Sequence, residues 1–226
     1  TTIKSQMSPN APSRPALNPF LFTALATLFI FLWASGFVAA KYGLPYAEPF
    51  TLMAARFLVG SVILVPACFL LKARWPKTRQ AIIHILIAGF GVQTLYLIGV
   101  YYGIWLGIST GVAALVVGMQ PLLTGVFAGF VLRETVTRGN WVGLGLGFLG
   151  LALVVWDRVV SPTDAIWGLG LLLMGLVGIT AGTLYQKKFC GPFDVRCGVA
   201  IQNVMSCIVM LVLAVTFETM QINWTG

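Results

Sequence analysis

Residues 80–132 read QAIIHILIAGFGVQTLYLIGVYYGIWLGISTGVAALVVGMQPLLTGVFAGFVL, without one Asp, Glu, Lys or Arg. A helix needs about 20 apolar residues to cross a bilayer, so this stretch is too long for one span and fits two. We expect the tight turn between them at Gly107-Ile108-Ser109. The stretch lacks the strict alternation that is typical of a barrel strand. It therefore predicts a pair of transmembrane helices.

The rest of the chain continues this pattern on both sides. Of its 226 residues, 58% are hydrophobic and 9% are charged, whereas about a quarter of the residues in a soluble domain are charged. This composition excludes an ordinary cytosolic domain, a disordered chain and the usual kind of nucleic-acid-binding domain. Charged residues separate five further segments of spanning length, which are 19–40, 49–71, 139–156, 165–186 and 197–217. The predicted fold class is all-α, a polytopic helical membrane bundle of seven spans.

The basic residues predict an orientation. The net charge is +8, from 14 Lys and Arg against 6 Asp and Glu. With the N-terminus inside, eleven basic residues fall in cytoplasmic segments, namely Lys4, Arg14, Lys72, Arg74, Lys77, Arg79, Arg133, Arg138, Lys187, Lys188 and Arg196. This bias satisfies the positive-inside rule and predicts a cytoplasmic N-terminus. The positive charge then indicates topology and attraction to anionic lipid, not nucleic-acid binding.

An internal repeat relates the first two spans to the last two. The aligned pairs are Gly36 with Gly182, Lys41 with Lys187, Ala54 with Ala200, and Arg56 with Gln202. Because an odd number of spans separates the two copies, the second copy must be inverted relative to the first. Inverted repeats of this kind are typical of secondary transporters.

Several motifs occur in the order found in one transporter family. Residues 32–41, LWASGFVAAK, resemble the first-helix motif of the EamA family, within the drug/metabolite transporter superfamily. Ala54-Ala55-Arg56-Phe57 is similar to the second-helix motif of that family, residues 111–134 to its fourth helix, and residues 143–150 to its glycine-rich fifth helix. The resemblance covers residues 19–217.

The resemblance implies ten helices in two inverted five-helix repeats. It also implies export of small metabolites or amino acids by alternating access, here across a bacterial inner membrane. The expected organisation is a flexible cytoplasmic tail at 1–18, a first five-helix repeat at 19–157, and two helices of a second, incomplete repeat at 158–226. Seven helices in place of ten predict a chain truncated after the seventh helix. The alternatives are a non-transporting membrane scaffold or receptor of this fold, and an inactive truncated fragment.

The sequence offers no catalytic constellation. Proteolysis within the membrane would need a Ser–His pair, two facing aspartates or a zinc site. The one histidine, His84, lies near the start of the third predicted span, and no Asp or Glu lies at a membrane centre. The four cysteines form no CxxC pair, so a metal or redox site is not indicated. We predict no enzymatic activity, no cofactor and no metal.

Pro121 lies near the middle of the fourth predicted span. It cannot donate a backbone hydrogen bond to Val117, and its ring crowds that carbonyl, so a kink is expected. Interrupted helices at mid-membrane indicate transport sites, although a purely structural kink is the alternative. Met119 and Gln120 lie beside it as candidate substrate contacts, and the Gln120 amide offers both donors and acceptors.

Four other uncharged side chains and one charged side chain, Arg56, are further candidates for the substrate pathway. Gln93 and Tyr96 share a face of the third span, whereas Tyr101 approaches the outer interface, where tyrosine is also typical of the aromatic belt. For Trp33, two alternatives stay open, a position in the aromatic belt and a position lining the cavity. Arg56 is the one full charge inside a span, where a central charge costs at least about 2–3 kcal/mol. For Arg56, snorkelling, structural pairing and substrate contact stay open.

Gly139, Gly143 and Gly147 form a GxxxGxxxG face on the fifth predicted span. Small residues let helix backbones approach closely, so this face is predicted to pack against another helix. The expected partners of the protein are a small-molecule substrate, either an amino acid or another metabolite, and membrane lipid. A homodimer is a further option, and nucleic acid is not expected.

Overall fold

The computed structural model describes residues 18–132, 136–159, 163–191 and 193–223. Within these ranges the chain is helical apart from short loops, and one isolated antiparallel bridge joins Ala47 to Ile222. The all-α fold class is confirmed. The predicted N-terminal tail lies outside the described residues except for Asn18, as does the Arg133-Glu134 end of the fourth-helix motif.

The described residues form nine α-helices and one π-helical segment. In chain order these are α1 (Pro19–Gly43), α2 (Pro49–Leu70), α3 (Arg79–Gly89), the π segment (Phe90–Leu95), α4 (Tyr96–Trp105), α5 (Thr110–Gly118), α6 (Gln120–Leu132), α7 (Arg138–Val159), α8 (Thr163–Phe189) and α9 (Val195–Phe217).

Six helical stretches in the described part of the chain are long and apolar enough to cross a membrane. They are Phe20–Gly43, Pro49–Leu70, Arg79–Trp105, Thr110–Leu132, Ile166–Phe189 and Val195–Phe217. Each matches a predicted span to within a few residues at its ends. Helix α7, with 22 residues, occupies the place of the remaining predicted span. The protein is a multi-pass helical membrane protein.

Local sequence explains both interruptions in the apolar stretch 80–132. Gly107 adopts φ +94° in the turn between α4 and α5, a left-handed conformation that favours glycine. The Ser109 side chain then caps α5 by accepting a hydrogen bond from the Val112 N–H at 3.3 Å. Further along, α5 ends at Gly118 and α6 begins at Gln120. The helix is therefore interrupted two residues before Pro121, which has no N–H to donate to the Val117 carbonyl; that carbonyl instead accepts from a capping N–H group at the end of α5.

The chain divides into two compact units, residues 1–36 and 37–226. In the first unit, the rings of Phe29 and Trp33 stack with their centroids 6.3 Å apart. In the second unit, α9 packs along α2, and α8 packs along α4, the π segment and α6. Helix α3 contacts both α8 and α9. The last two described helices therefore form the centre of the second unit.

Glycines bring α8 into backbone contact with the span that contains α3, the π segment and α4. A Cβ added to Gly99 would lie 2.8 Å from the Cα of Gly175, and one added to Gly103 would lie 3.1 Å from the carbonyl oxygen of Gly168. A Cβ on Gly91 would likewise lie 3.0 Å from the Cα of Gly182. No side chain larger than hydrogen fits between these backbones, so small residues set this crossing. We call it the glycine crossing.

The glycines that the sequence singled out on α7 have a looser environment. Added Cβ atoms on Gly143 and Gly147 would meet the Leu122 side chain at 3.4 and 3.2 Å, and one on Gly139 would meet only the Thr137 hydroxyl, at 3.7 Å. At Gly143 and Gly147, α7 therefore faces a side chain of α6, Leu122, and not the α6 backbone. The role of these three glycines in packing stays a prediction.

Candidate functional site

Three glutamines from three different spans meet inside the second unit. The Gln93 amide donates to the Gln202 carbonyl oxygen at 3.4 Å, and the Gln202 amide donates to the Gln186 carbonyl oxygen at 3.2 Å. The Gln202 amide also lies 3.3 Å from the backbone carbonyl oxygen of Ile85. We call Gln93, Gln186 and Gln202 the glutamine cluster. Gln202 is buried and Gln93 and Gln186 are half-buried, and the buried Gln202 amide is satisfied by its neighbours, as a buried polar group must be.

The π segment positions one side of this cluster. It carries both Gln93 and Thr94, and the Thr94 hydroxyl lies 2.9 Å from the buried hydroxyl of Ser206 on α9. At its start, Gly89 leaves room for Gln202, because an added Cβ would lie 2.8 Å from the Gln202 Cβ. Short π-helical turns inside α-helices occur frequently at functional sites. The glutamine cluster therefore lies at a locally irregular part of an otherwise regular span.

A second polar contact joins α9 to α2. The buried Asn203 amide donates to the Phe57 carbonyl oxygen at 2.8 Å and to the Ser61 hydroxyl at 2.9 Å. Gly60 lies opposite, where an added Cβ would be 3.0 Å from the Asn203 Nδ2. Asn203 thus fixes the register of the two helices.

Arg56 is paired within the protein. Its Nη1 donates to the Tyr101 hydroxyl at 3.0 Å, which corresponds to structural pairing among the three alternatives left open for this residue. Tyr101 is only 3% exposed, so it lies inside the bundle and not in a lipid-facing aromatic belt. The pair links α2 to α4.

A groove of about 410 Å³ runs between α6 and α8. Its walls are mostly apolar and aromatic, with three polar side chains along α8. The lining residues are Leu123, Phe127, Val131, Val177, Thr180, Ala181, Leu184, Tyr185, Lys188 and Phe189. Pockets for small organic ligands commonly have this volume and this mixture of apolar walls and few polar groups.

His84 supports the groove from α3. Its Nδ1 shares a hydrogen bond of 2.8 Å with the Tyr185 hydroxyl, and its ring stacks on Phe189 with the centroids 5.8 Å apart. The rings of Tyr185 and Phe189 also pack, at 4.6 Å. His84 therefore orients two aromatic side chains that line the groove.

The remaining predicted pathway residues lie apart from these contacts. The Gln120 amide donates to the Thr124 hydroxyl at 3.0 Å within α6, beside the groove wall at Leu123. Met119 is buried, Pro121 is exposed and Tyr96 is buried at the glycine crossing. Together with Trp33, these residues stay predicted components of the pathway.

One end of the second unit is held together by carboxylates. Glu218, at the end of α9, accepts hydrogen bonds from the backbone N–H groups of Phe50 and Thr51 at 2.7 Å each. It also accepts from the Thr51 hydroxyl at 2.8 Å and from the Tyr102 hydroxyl at 3.0 Å. These N–H groups belong to the first turn of α2, where the helix dipole favours a negative charge. Glu218 therefore ties α9 to both α2 and α4.

A reciprocal bond reinforces this end. Glu48, just before α2, accepts from the Thr219 N–H at 2.8 Å and from the Thr219 hydroxyl at 2.9 Å. The Ala47–Ile222 bridge lies beside it. We call Glu48, Glu218 and the groups that donate to them the carboxylate clamp.

The opposite end carries the basic loops, and we call it the basic end. Asp194, in the loop before α9, accepts from Arg196 at 2.8 Å and from the Arg74 N–H at 3.2 Å. The Arg196 hydrogen bond holds the pKa of the Asp194 carboxyl well below its usual range. Because α6 and α8 both end here, the groove between them lies in the half of the bundle nearer the basic end.

Sequence reasoning did not identify several residues that make these contacts. They are Glu48, Tyr102, Gln186, Asn203, Ser206 and Glu218, with Gln202 noted only as the repeat counterpart of Arg56. One local signal was present, because Gln202, Asn203 and Ser206 are polar residues close together in an apolar span. Glu48 and Glu218 follow no motif, and their partners are far away in sequence.

Comparison with known proteins gives matches along most of the chain. The uncharacterized transporter YvbV of Bacillus subtilis is 28% identical over 90% of this chain and 67% of its own length. The uncharacterized inner membrane transporter YedA of Escherichia coli is 26% identical over 85% of this chain and 61% of its own length. The S-adenosylmethionine/S-adenosylhomocysteine transporter of Chlamydia trachomatis is 26% identical over 89% of this chain and 61% of its own length. The chain thus spans about two thirds or less of these relatives, and no solved structure matches it.

The sequence profile of the EamA-like transporter family matches residues 20–156. This range contains all but the first residue of α1, the whole of α2 to α6 and most of α7, including the interrupted fourth span and one wall of the groove. The match covers more than half of the 226 residues. The chain therefore belongs to the EamA-like transporter family.

Proposed function

We propose that the protein exports small organic metabolites across a bacterial inner membrane by alternating access. The observation that carries the proposal is the difference between the two ends of the second unit. A ligand-sized groove lies toward the basic end, whereas the opposite end is tied by the carboxylate clamp. Alternating access requires this kind of asymmetry, with a site accessible from one side while the other side is closed.

The charge pattern of the loops indicates the orientation in the membrane and thus the direction of transport. Basic loops favour the cytoplasmic side of a membrane, which puts the groove on the cytoplasmic side and the N-terminus in the cytoplasm. In this arrangement a substrate enters the groove from the cytoplasm. Release of the substrate outside requires breaking the hydrogen bonds that Glu218 accepts from the start of α2.

The inverted repeat is part of the same proposal. Helices α2 and α9 occupy equivalent positions in the two copies, and they pack along each other. A pseudo-two-fold axis in the membrane plane would bring equivalent helices together in this way. Arg56 and Gln202, aligned in the repeat, each make a polar contact with the span that contains α3 and α4.

The groove suggests the class of substrate. Phe127 and Phe189 offer faces for a planar or apolar group, while Thr180, Tyr185 and Lys188 offer hydrogen bonds and one positive charge. A small metabolite with an apolar or aromatic body and a carboxylate fits this lining. Aromatic amino acids meet that description. S-adenosyl compounds, after which one relative is named, are the second group to examine.

Reconstituted proteoliposomes test the proposal directly. We expect counterflow of at least one labelled compound from a panel of amino acids, S-adenosyl compounds and organic cations. Tyr185→Phe should raise the apparent KM, because it removes the groove hydroxyl but keeps the ring. Tyr42→Phe, at an exposed position on α1, is the matched control and should leave KM unchanged.

Substitutions at Gln120 and Tyr96 test the predicted pathway in the same assay. Each should change selectivity among transported compounds without lowering expression. If folded protein moves no compound in the panel, the transporter proposal fails and the alternative of a non-transporting scaffold gains support. Equal effects of Tyr185→Phe and Tyr42→Phe would remove the groove from the proposed pathway.

A further inference from the structure

A second cavity, of about 550 Å³, opens at the basic end and is separate from the groove. It lies between the loop that joins α2 to α3 and the loop that joins α8 to α9, against the first turns of α3. Its lining includes Arg74, Trp75 and Lys77 from the first loop, and Cys190 and Asp194 from the second. Nothing in the proposed transport pathway uses it.

The charge of this cavity is positive. The side chains of Arg74 and Lys77 are exposed, and neither has an ion-pair partner among the described residues. The one carboxylate of the lining, Asp194, is already engaged by Arg196 and by the Arg74 N–H. It therefore does not neutralise the two cationic side chains. An anion entering the cavity would meet two available donors on flexible stems.

The rest of the lining is apolar. Trp75 is partly buried and packs against Phe69, with ring centroids 5.3 Å apart. Ile85 and Phe193 contribute further apolar surface. Tryptophan is enriched where a membrane protein meets the headgroup region. The cavity therefore combines a cationic part with an apolar part at the basic end, where the apolar spans end.

We propose that this cavity binds an anionic phospholipid, with its phosphate held by Arg74 and Lys77. The glycerol and upper acyl carbons then lie against Trp75 and Phe193. Basic pockets between helices at the cytoplasmic side are suited to anionic headgroups. A free phosphate ester shares the charge, but it has no group to cover the apolar part of the lining. The lipid is therefore the better match.

The first experiment measures lipid binding to the intact chain by native mass spectrometry. Phosphatidylglycerol should bind more tightly than phosphatidylcholine, which has the same phosphate but no net charge. Arg74→Gln combined with Lys77→Gln should weaken phosphatidylglycerol binding about 30-fold, because two cations near an anionic lipid are removed. Lys72→Gln combined with Arg79→Gln is the matched control. It removes the same charge from the same end but outside the cavity, and binding should change less than about threefold.

The second experiment uses the native Cys190 as a reporter, so no cysteine has to be introduced. Cys190 lines the cavity, and burial raises the pKa of its thiol, so labelling with a maleimide is done at alkaline pH. Phosphatidylglycerol should slow modification of Cys190, measured by peptide mapping, and phosphatidylcholine should not. The paired Arg74 and Lys77 substitutions should abolish this protection.

The outcomes separate the lipid from its alternatives. Equal losses of binding in the two paired variants would show attraction to the basic end in general and would overturn the cavity site. Displacement of phosphatidylglycerol by millimolar inorganic phosphate or glycerol phosphate would overturn the lipid as occupant in favour of a soluble phosphate. Unchanged Cys190 labelling in the presence of saturating phosphatidylglycerol would also overturn the proposal.

Discussion

The two ends of the second unit differ in how their loops are held. At the clamp end, two carboxylates accept hydrogen bonds from backbone N–H groups and hydroxyls of a distant segment. At the basic end, the cations outnumber the carboxylates, and the described ion pair is local, between Asp194 and Arg196 at the start of α9. One end is therefore tied across helices, whereas the other leaves a cavity and a groove.

The two ends therefore differ in their local electrostatics as well as in their helix packing. Charge-assisted hydrogen bonds to a helix N-terminus are strong where water is partly excluded. At the basic end, the two neighbouring loops are joined by the hydrogen bond from the Arg74 N–H to Asp194, while the like charges on these loops repel. The glycine crossing lies between the two ends and holds α4 against α8, so it would be the pivot of the proposed alternating-access motion. Four predictions test this comparison.

The largest effect is expected at Glu218. Glu218→Ala removes four hydrogen bonds to the start of α2 and to Tyr102, and should lower the free energy of unfolding by about 3 kcal/mol. Unfolding in detergent micelles measures the change. Glu48→Ala, which removes two more exposed bonds, should cost about 1 kcal/mol. If the two variants are equally stable, Glu218 is not the centre of the clamp.

The next effect concerns the proposed pivot. Gly175→Ala would place its Cβ 2.9 Å from the Tyr96 carbonyl oxygen, so α4 and α8 must separate at a cost of about 2 kcal/mol. Gly170→Ala is the matched control on the same helix, because its Cβ would meet nothing within 4 Å. Gly175→Ala should unfold at a lower temperature and show slower substrate counterflow, whereas Gly170→Ala should change neither. If Gly175→Ala changes neither stability nor counterflow, the close approach of the backbones at the glycine crossing is not required.

A smaller effect isolates one partner of the clamp. Tyr102→Phe keeps the ring that packs against Phe50 but loses the hydrogen bond to Glu218, and should cost about 1.5 kcal/mol of unfolding free energy. In a Glu218→Ala background the same substitution should cost much less, because its acceptor is gone. Additive effects of the two substitutions would mean that Tyr102 stabilises the protein in another way.

The smallest effect belongs to the basic end. The pKa of Asp194 is lowered by Arg196, so the stabilisation by this pair is fully present above the ordinary carboxyl pKa. It is lost only as the pH falls from that value toward the lower folded-state pKa. Between about pH 5 and pH 8, Asp194→Asn should therefore reduce stability by a small, constant amount. Arg196→Gln should have a similar effect, and a loss that varies across neutral pH would contradict this assignment.

Much of the local structure could be predicted from the sequence. The turn at Gly107 and the interruption near Pro121 depend on the backbone properties of one or two residues. The span ends depend on where charges interrupt an apolar run. These features are local, so a sequence read in order contains what is needed to place them.

The contacts of the site could not be predicted in the same way. Glu218 is separated from its Phe50 partner by 168 residues, and its sequence neighbours give no sign of a helix N-terminus nearby. The sequence was equally ambiguous about which glycines bring two helix backbones into contact. The GxxxGxxxG face of α7 was the clearest pattern, yet backbone contact occurs at Gly99 and Gly175, because spacing identifies a smooth face without identifying its partner.

By itself, the sequence determined that the protein crosses a membrane, roughly where each span begins and ends, and to which family it is similar. Lipid imposes those features on each segment separately, since every span must bury its own backbone hydrogen bonds. Only the tertiary structure decided that Glu218 ties α9 to α2 and α4, that Gln93 meets Gln202 and that the groove lies toward the basic end. Those features depend on which distant segments become neighbours, and that choice is made by packing and by pairing of side chains across helices.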